Sequence, residues 1–418
     1  MANRQLASSP WLIVLGSTIA LMVCNGPVIA FTFGVFLKPV SQEFGWSRGA
    51  ISVAGAMATF MFAIAAPPIG MLIDRWGGRR VLLPIILLAS LSVAAISLTR
   101  ASLWMFTALY TVAGLAFAGH GPQPYIKAIA GWIDKKRGLA LGTAMTGVGI
   151  GIILVPQLAR YLIGTFGWRH AYLGLGVVVF AVAFPAVAAF VRDAPGDPAQ
   201  NEPLSRARAP AGIVSRALLR SAQFWLLAAP VFLVAMAVNG TNAHLIPLLT
   251  DRGSSPTSAA STLGAVGLAS IVGRLLCGYL ADRFSAPRVA AGFFLLPCIG
   301  ILLLMAHSDG PFPVIGAISL GLALGCEIDM MGFLTTRYFG VQHLAEIYGY
   351  LFAVFSAGSA LGSYLMGMSF DALHSYNGML STFILVLMVA SALVSRLGRY
   401  IFSAGALEAH HPKLKLAA

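Results

Sequence analysis

The chain has 418 residues, 58% of them hydrophobic and 10% charged, with a mean hydropathy of +0.84. A soluble protein carries about 25% charged residues, so a water-soluble fold is excluded. The formal net charge is +13. No Lys/Arg block is interleaved with aromatics, which excludes nucleic acid as a partner; the cations fall in short gaps between apolar runs, as membrane topology requires.

In chain order, twelve apolar segments reach spanning length, near 11–37, 50–73, 81–99, 102–126, 139–164, 170–191, 223–249, 258–281, 288–306, 311–336, 344–369 and 375–402. They are numbered here as spans 1 to 12. The runs are continuous, about 20 residues long, and do not alternate, which predicts helices rather than a barrel. The 45 Gly and 22 Pro fit that class. The first run, Trp11 to Leu37, exceeds a signal-peptide core and no small-residue cleavage site follows it, so no cleaved signal is expected. Cys24, Cys277, Cys298 and Cys326 all lie in apolar runs and read as small core residues.

The longest polar gap, 192–222, holds Pro195, Pro198, Pro203, Pro210 and five arginines. It predicts a cytoplasmic linker. The expected organisation is a six-helix bundle over 1–191, the linker 192–222, a second six-helix bundle over 223–402 and a tail over 403–418. Placing the N-terminus in the cytoplasm leaves only Lys38, Arg48, Arg100, Arg160, Arg169 and Arg252 outside, with the other loop cations inside. The positive-inside rule therefore puts both termini in the cytoplasm. Lys127 and Arg274 remain within spans.

The two halves repeat. Gly70-Met-Leu-Ile-Asp74-Arg75 ends span 2 and Gly278-Tyr-Leu-Ala-Asp282-Arg283 ends span 8, with Arg79 shortly after the first copy. Six spans per repeat make it parallel, the arrangement in which two bundles rock about a central site. The glycines admit close helix approach. Each Asp can meet a helix N-terminus or a neighbouring Arg. The two copies are therefore expected to form a conformational latch of Gly70, Asp74, Arg75, Arg79, Gly278, Asp282 and Arg283.

The stretch from Gly70 to Arg80, with its copy at Gly278–Arg283, resembles the loop signature of the major facilitator superfamily. Glu43-Phe-Gly-Trp-Ser-Arg48, the run from Asp134 to Gly142, Gly167-Trp-Arg169 and Gly273-Arg274 resemble the bacterial relatives of monocarboxylate transporters and oxalate:formate antiporters. The resemblance implies an all-α membrane fold of twelve helices in two bundles, in a multi-pass monomer of the inner membrane. It also implies a small carboxylate anion as substrate. The first-span lysine of monocarboxylate transporters corresponds to Phe31 here, their Asp before the eighth-span Arg to Ser270, and the eleventh-span lysine of the antiporters to Phe355. The substrate is therefore not carried over.

Ions at mid-span cost at least about 2.5–3.5 kcal/mol and face the bundle interior. At 1.5 Å per residue, Arg274 and Lys127 lie about 12 Å from the cytoplasmic helix ends and Glu327 about 15 Å. Glu327 and Asp329, two residues apart, point to nearly opposite faces. Arg274 is expected to pair with one of them when empty and to bind a substrate carboxylate as a bidentate fork when loaded. The released carboxylate then takes up a proton. A permanent buried ion pair is the competing account. Lys127 either attracts anions or snorkels to the inner headgroups. His120, in Gly119-His-Gly-Pro122, either touches substrate or serves a distorted helix. Asn25, Asn239, Asn242 and His244 are further binding candidates or interhelical hydrogen-bonding groups.

No His-rich metal set, His-x-x-x-x-Asp pair or Gly-x-Ser-x-Gly elbow suggests an enzyme, and no metal or cofactor is expected. A receptor that binds without transport, an exchanger and an exporter stay open as alternatives. A channel suits the paired latches less well than a rocking carrier.

Overall fold

A computed structural model describes residues 10–46, 48–193, 218–306 and 310–402. Most of the expected linker and the 403–418 tail lie outside the described residues. Every extended element among the described residues is helical. Among the described residues, eleven helices are long and apolar enough to span a membrane. One of them, Arg137–Phe190, has 54 residues. At 1.5 Å per residue it would be about 80 Å long, far more than a bilayer of about 30 Å. It breaks at Gly167, whose φ of 80° and ψ of 164° leave the helical region. A left-handed φ of this kind suits a residue without Cβ. The two pieces are spans 5 and 6, so eleven helices give twelve crossings.

Three spans are interrupted where backbone donors are missing. Span 1 runs Pro10–Leu21, then a π-helical turn Gly26–Ala30, then Phe33–Phe44. Pro27 removes an N–H there, and Phe31 N–H donates to Gly26 at 3.0 Å to close the wider turn. Span 4 runs Leu103–Phe117 and Pro122–Trp132, with His120 in the break. Span 7 runs Ala222–Ala243 and Leu245–Asp251, with His244 between them. The other spans are Arg48–Trp76, Gly78–Ile96, Pro256–Arg283, Ala286–Ala306, Phe312–Phe339, Leu344–Leu373 and Asn377–Ser395.

The packing obeys the repeat. Span 1 packs on span 5, span 2 on span 4 and span 3 on span 6; in the second half span 7 packs on 11, 8 on 10 and 9 on 12. These are the same pairs displaced by six. The halves then meet along two seams, span 2 with span 11 and span 5 with span 8. Displacement by six exchanges one seam for the other, so the bundles are related by a pseudo-two-fold axis.

Candidate functional site

Two clusters collect the sequence candidates. One closes the face that carries the loops after even-numbered spans. The other lies at mid-span between the bundles.

At the closed face, Asp74 ends span 2 and meets the first turn of span 11. Its Oδ1 accepts from Ala345 N–H at 3.2 Å and its Oδ2 from Glu346 N–H at 2.8 Å. Asp282 does the same to span 5, accepting from Gly138 and Leu139 N–H groups, each at 2.8 Å. Each carboxylate thus fills orphan donors at a helix N-terminus and complements its dipole. Gly70 and Gly278 make this possible. A Cβ on Gly70 would strike the backbone of Ala345 and Glu346, and one on Gly278 the carbonyl of Gly138.

The cations differ between the copies. Lys127 sits 3.0 Å from Asp74 Oδ1 and donates to the Ile73 and Asp74 carbonyls at 3.3 Å. It is drawn to the latch and not to the mid-span cluster, because Asp74 is the carboxylate its chain can reach from span 4. Arg75 and Arg283 point outward; the Arg283 guanidinium stacks over Tyr279 at 4.4 Å. Arg79 bonds the Ala188 carbonyl of span 6 at 2.6 Å. Arg79 and Arg283 contact their own bundles, and the seam contact falls to the aspartates. A further bridge was not singled out from sequence: Arg337 of span 10 reaches Asp134 across the seam at 3.0 Å, and Arg137 shares that oxygen at 3.0 Å. Asp134 opens one of the family-like stretches, and nothing in that stretch points to Arg337. Asp74, His343 and Glu346 also bring ligand atoms within 4.8 Å of one another. A cation there would have to displace Lys127 from Asp74.

At mid-span, Arg274 of span 8 donates to Asp329 of span 10 at 3.0 Å, and both are about 95% buried. Glu327 points elsewhere, accepting from Asn239 of span 7 at 3.4 Å. The two-residue spacing therefore divides the carboxylates between spans 8 and 7. Several buried polar atoms of this cluster have no hydrogen-bond partner among the described residues: Arg274 Nε, Asp329 Oδ2, Glu327 Oε1 and Tyr348 Oη. A buried unfilled donor or acceptor costs about 1–3 kcal/mol, so these atoms are costly as they stand. Cys24, in the broken span 1, and Tyr348, in span 11, are close enough for Arg274 to act on them electrostatically. Both bundles thus border the cluster. Tyr348 carries no sequence signal, since it is a neutral residue in a helix.

The remaining candidates have local partners. His120 Nδ1 bonds Tyr125 Oη at 2.9 Å. His244 Nε2 bonds the Ser363 carbonyl of span 11 at 3.0 Å, which braces the break in span 7. Asn25 is half-buried at the start of the π-turn and its side chain caps nothing there. On the opposite face, two family-like stretches meet. Glu43 accepts from Trp168 Nε1 at 2.5 Å and pairs with Arg169, whose guanidinium lies over Trp168 at 4.4 Å.

The model of the Major Facilitator Superfamily matches residues 18–363 and, overlapping, 231–399, and the chain belongs to that family. It is a multi-pass membrane transporter and not an enzyme. Monocarboxylate transporter 11 of Homo sapiens is 26% identical over 358 residues, covering 81% of this chain and 73% of that one. The uncharacterized MFS-type transporter YcxA of Bacillus subtilis (strain 168) is 24% identical over 414 residues, covering 96% and 98%. Among solved structures, the E. coli fucose:proton symporter FucP superposes with a TM-score of 0.70 at 16% identity, covering 93% of this chain and 98% of its own. The human organic anion transporter MFSD10 gives 0.68 at 15%, covering 94% and 100%. These structures establish a shared fold.

Proposed function

We propose that this transporter moves a small monocarboxylate anion across the cytoplasmic (inner) membrane together with a proton, by alternating access, as a monomer with both termini in the cytoplasm. The observation that carries the reading is the Arg274–Asp329 pair, buried at mid-span with Arg274 Nε and Asp329 Oδ2 unfilled. Of the two cations within the spans, Lys127 is engaged by Asp74. That leaves one guanidinium at the centre, which matches one carboxylate. A substrate carboxylate takes the fork of Arg274, using the unfilled Nε. Asp329 loses its cation and takes up a proton, because a buried lone carboxylate is costly to keep charged. Asn239, Asn25, Asn242 and His120 are the remaining candidate contacts to the body of the substrate. Glu327 on Asn239 is the second candidate for the proton. Similarity to monocarboxylate transporters supports the substrate class. The described conformation, with its latches closed on the termini-side face, is on this reading outward-facing. The bundles 1–191 and 223–402 are the rocking bodies, joined by 192–222.

Arg274→Lys tests the reading. It keeps the charge and loses the planar fork, so binding should weaken by about 1–3 kcal/mol, roughly tenfold to a hundredfold. Affinity is read by ligand-induced thermal stabilisation against a panel of small carboxylates. If Arg274→Lys binds the best ligand as tightly as the parent, Arg274 is a helix brace and the carboxylate assignment falls.

A further inference from the structure

Cys277 and Cys326 lie outside the transport chemistry and meet between spans 8 and 10. Both are free thiols, both are fully buried, and the Cys277 Sγ donates to the Cys326 Sγ at 2.7 Å. Their meeting follows from a glycine seam. A Cβ on Gly273 would strike the backbone of Leu322, one on Gly321 the Val266 carbonyl, and one on Gly325 the Ser270 carbonyl. With no side chains between them, the two backbones touch along this stretch, and the thiols at its end face each other directly. A disulfide needs sulfurs about 2.05 Å apart, which a small rotation of each side chain supplies from here. The position matters as well. Cys277 is three residues, one turn, from Arg274, and Cys326 directly precedes Glu327 and is three residues from Asp329.

We propose that Cys277 and Cys326 are an oxidisable dithiol, a modification site for small membrane-permeant oxidants, whose disulfide locks span 8 to span 10 and holds Arg274 on Asp329. The oxidant class is an azodicarboxamide such as diamide. One sulfur adds to the N=N bond and its proton goes to the other nitrogen. The second sulfur attacks the first, the S–N bond breaks, and the hydrazine leaves with the second proton. Two S–H bonds are lost and one S–S bond forms, with both electrons and both protons on the former azo group. In the locked protein the ion pair cannot open to admit an anion, and dithiothreitol reverses the lock.

Thiol modification has two other targets, the buried Cys24 of span 1 and Cys298 near the Ile384 carbonyl of span 12. The test therefore uses full-length protein with Cys24→Ser and Cys298→Ser, in detergent, treated with diamide. If that background does not fold, the parent is used and the linked cysteines are located by peptide mapping. Mass spectrometry should show loss of two hydrogen atoms and a linked pair of peptides carrying Cys277 and Cys326. The thermal midpoint should rise and fall back with dithiothreitol. Cys277→Ser should abolish both effects, as should Cys326→Ser. The proposal is overturned if the folded protein stays reduced while the same protein in SDS oxidises, or if the link forms without moving the thermal midpoint. Neither readout needs a transported substrate, so failure here is distinct from failure of the monocarboxylate reading, on which only the exclusion of an anion from the locked pair depends.

Discussion

At the scale of single residues, the two carboxylates of span 10 have separate jobs. Asp329 holds Arg274, and Glu327 is held by Asn239 across to span 7. Asp329→Asn removes the charge that neutralises a buried guanidinium, whereas Glu327→Gln keeps a hydrogen bond with Asn239 available. The expected outcome is that Asp329→Asn abolishes uptake driven by a pH gradient yet retains exchange of labelled for unlabelled substrate, which needs no net proton movement. Uptake and exchange assays in vesicles separate the two. Should Asp329→Asn keep gradient-driven uptake while Glu327→Gln loses it, the proton belongs to Glu327. If both variants keep it, neither carboxylate carries the proton. Lys127, read from sequence as either attracting anions or snorkelling to the headgroups, shows how a partner on another helix stays out of sight. Its four-carbon stem ends on Asp74.

At the scale of elements, the first bundle is tied at its far end by a short cluster. Glu43 closes the second half of span 1 and receives Trp168 and Arg169 from the start of span 6, while Arg169 also donates to the Thr99 carbonyl after span 3 at 3.1 Å. Slight burial pushes the Glu43 carboxyl up, but the hydrogen bonds from Arg169 and Trp168 and the Arg169 charge together hold it below its ordinary value. A carboxyl depressed in the fold adds stability above its unfolded value of about 4.3, and that contribution is lost as the pH falls through the lower folded value. Glu43→Gln should therefore lower the thermal midpoint at about pH 7, and the difference should shrink at acid pH as the parent carboxyl takes up its proton. Melting curves across pH check this. A difference between parent and variant that stays the same across pH would show that shape, not charge, matters at Glu43.

For the molecule as a whole, the two seams are equivalent devices. Asp74 caps span 11 and Asp282 caps span 5, each across a glycine contact. Losing one cap should weaken the closed face without touching the mid-span cluster. Asp74→Asn is expected to slow turnover while equilibrium binding stays nearly intact, with Asp282→Asn acting in the same direction. A fall in affinity that matches the fall in turnover would sink the latch. Gly138→Val places a side chain against Gly278 and Asp282. Spin labels on spans 2 and 11 at this face should then report a longer distance than in the parent.

Composition and period determined that this chain spans a membrane twelve times, because a bilayer tolerates only long apolar helices. The repeated Gly–Asp–Arg motif determined that the halves are parallel copies. The depth of Arg274, Glu327 and Asp329 was legible too, since rise per residue converts sequence spacing directly to height. Direction around the axis was not, as it depends on which helices pack together. That is why the partner of Arg274, the capture of Lys127 by Asp74 and the Arg337–Asp134 bridge emerge only from the fold. Each joins residues on different helices, separated by 53 to 203 positions along the chain. Tyr348 and the Cys277–Cys326 contact belong to the same class. A neutral side chain carries no cost that would mark it in a sequence, and its chemistry begins when a glycine seam or a second bundle sets another polar atom beside it.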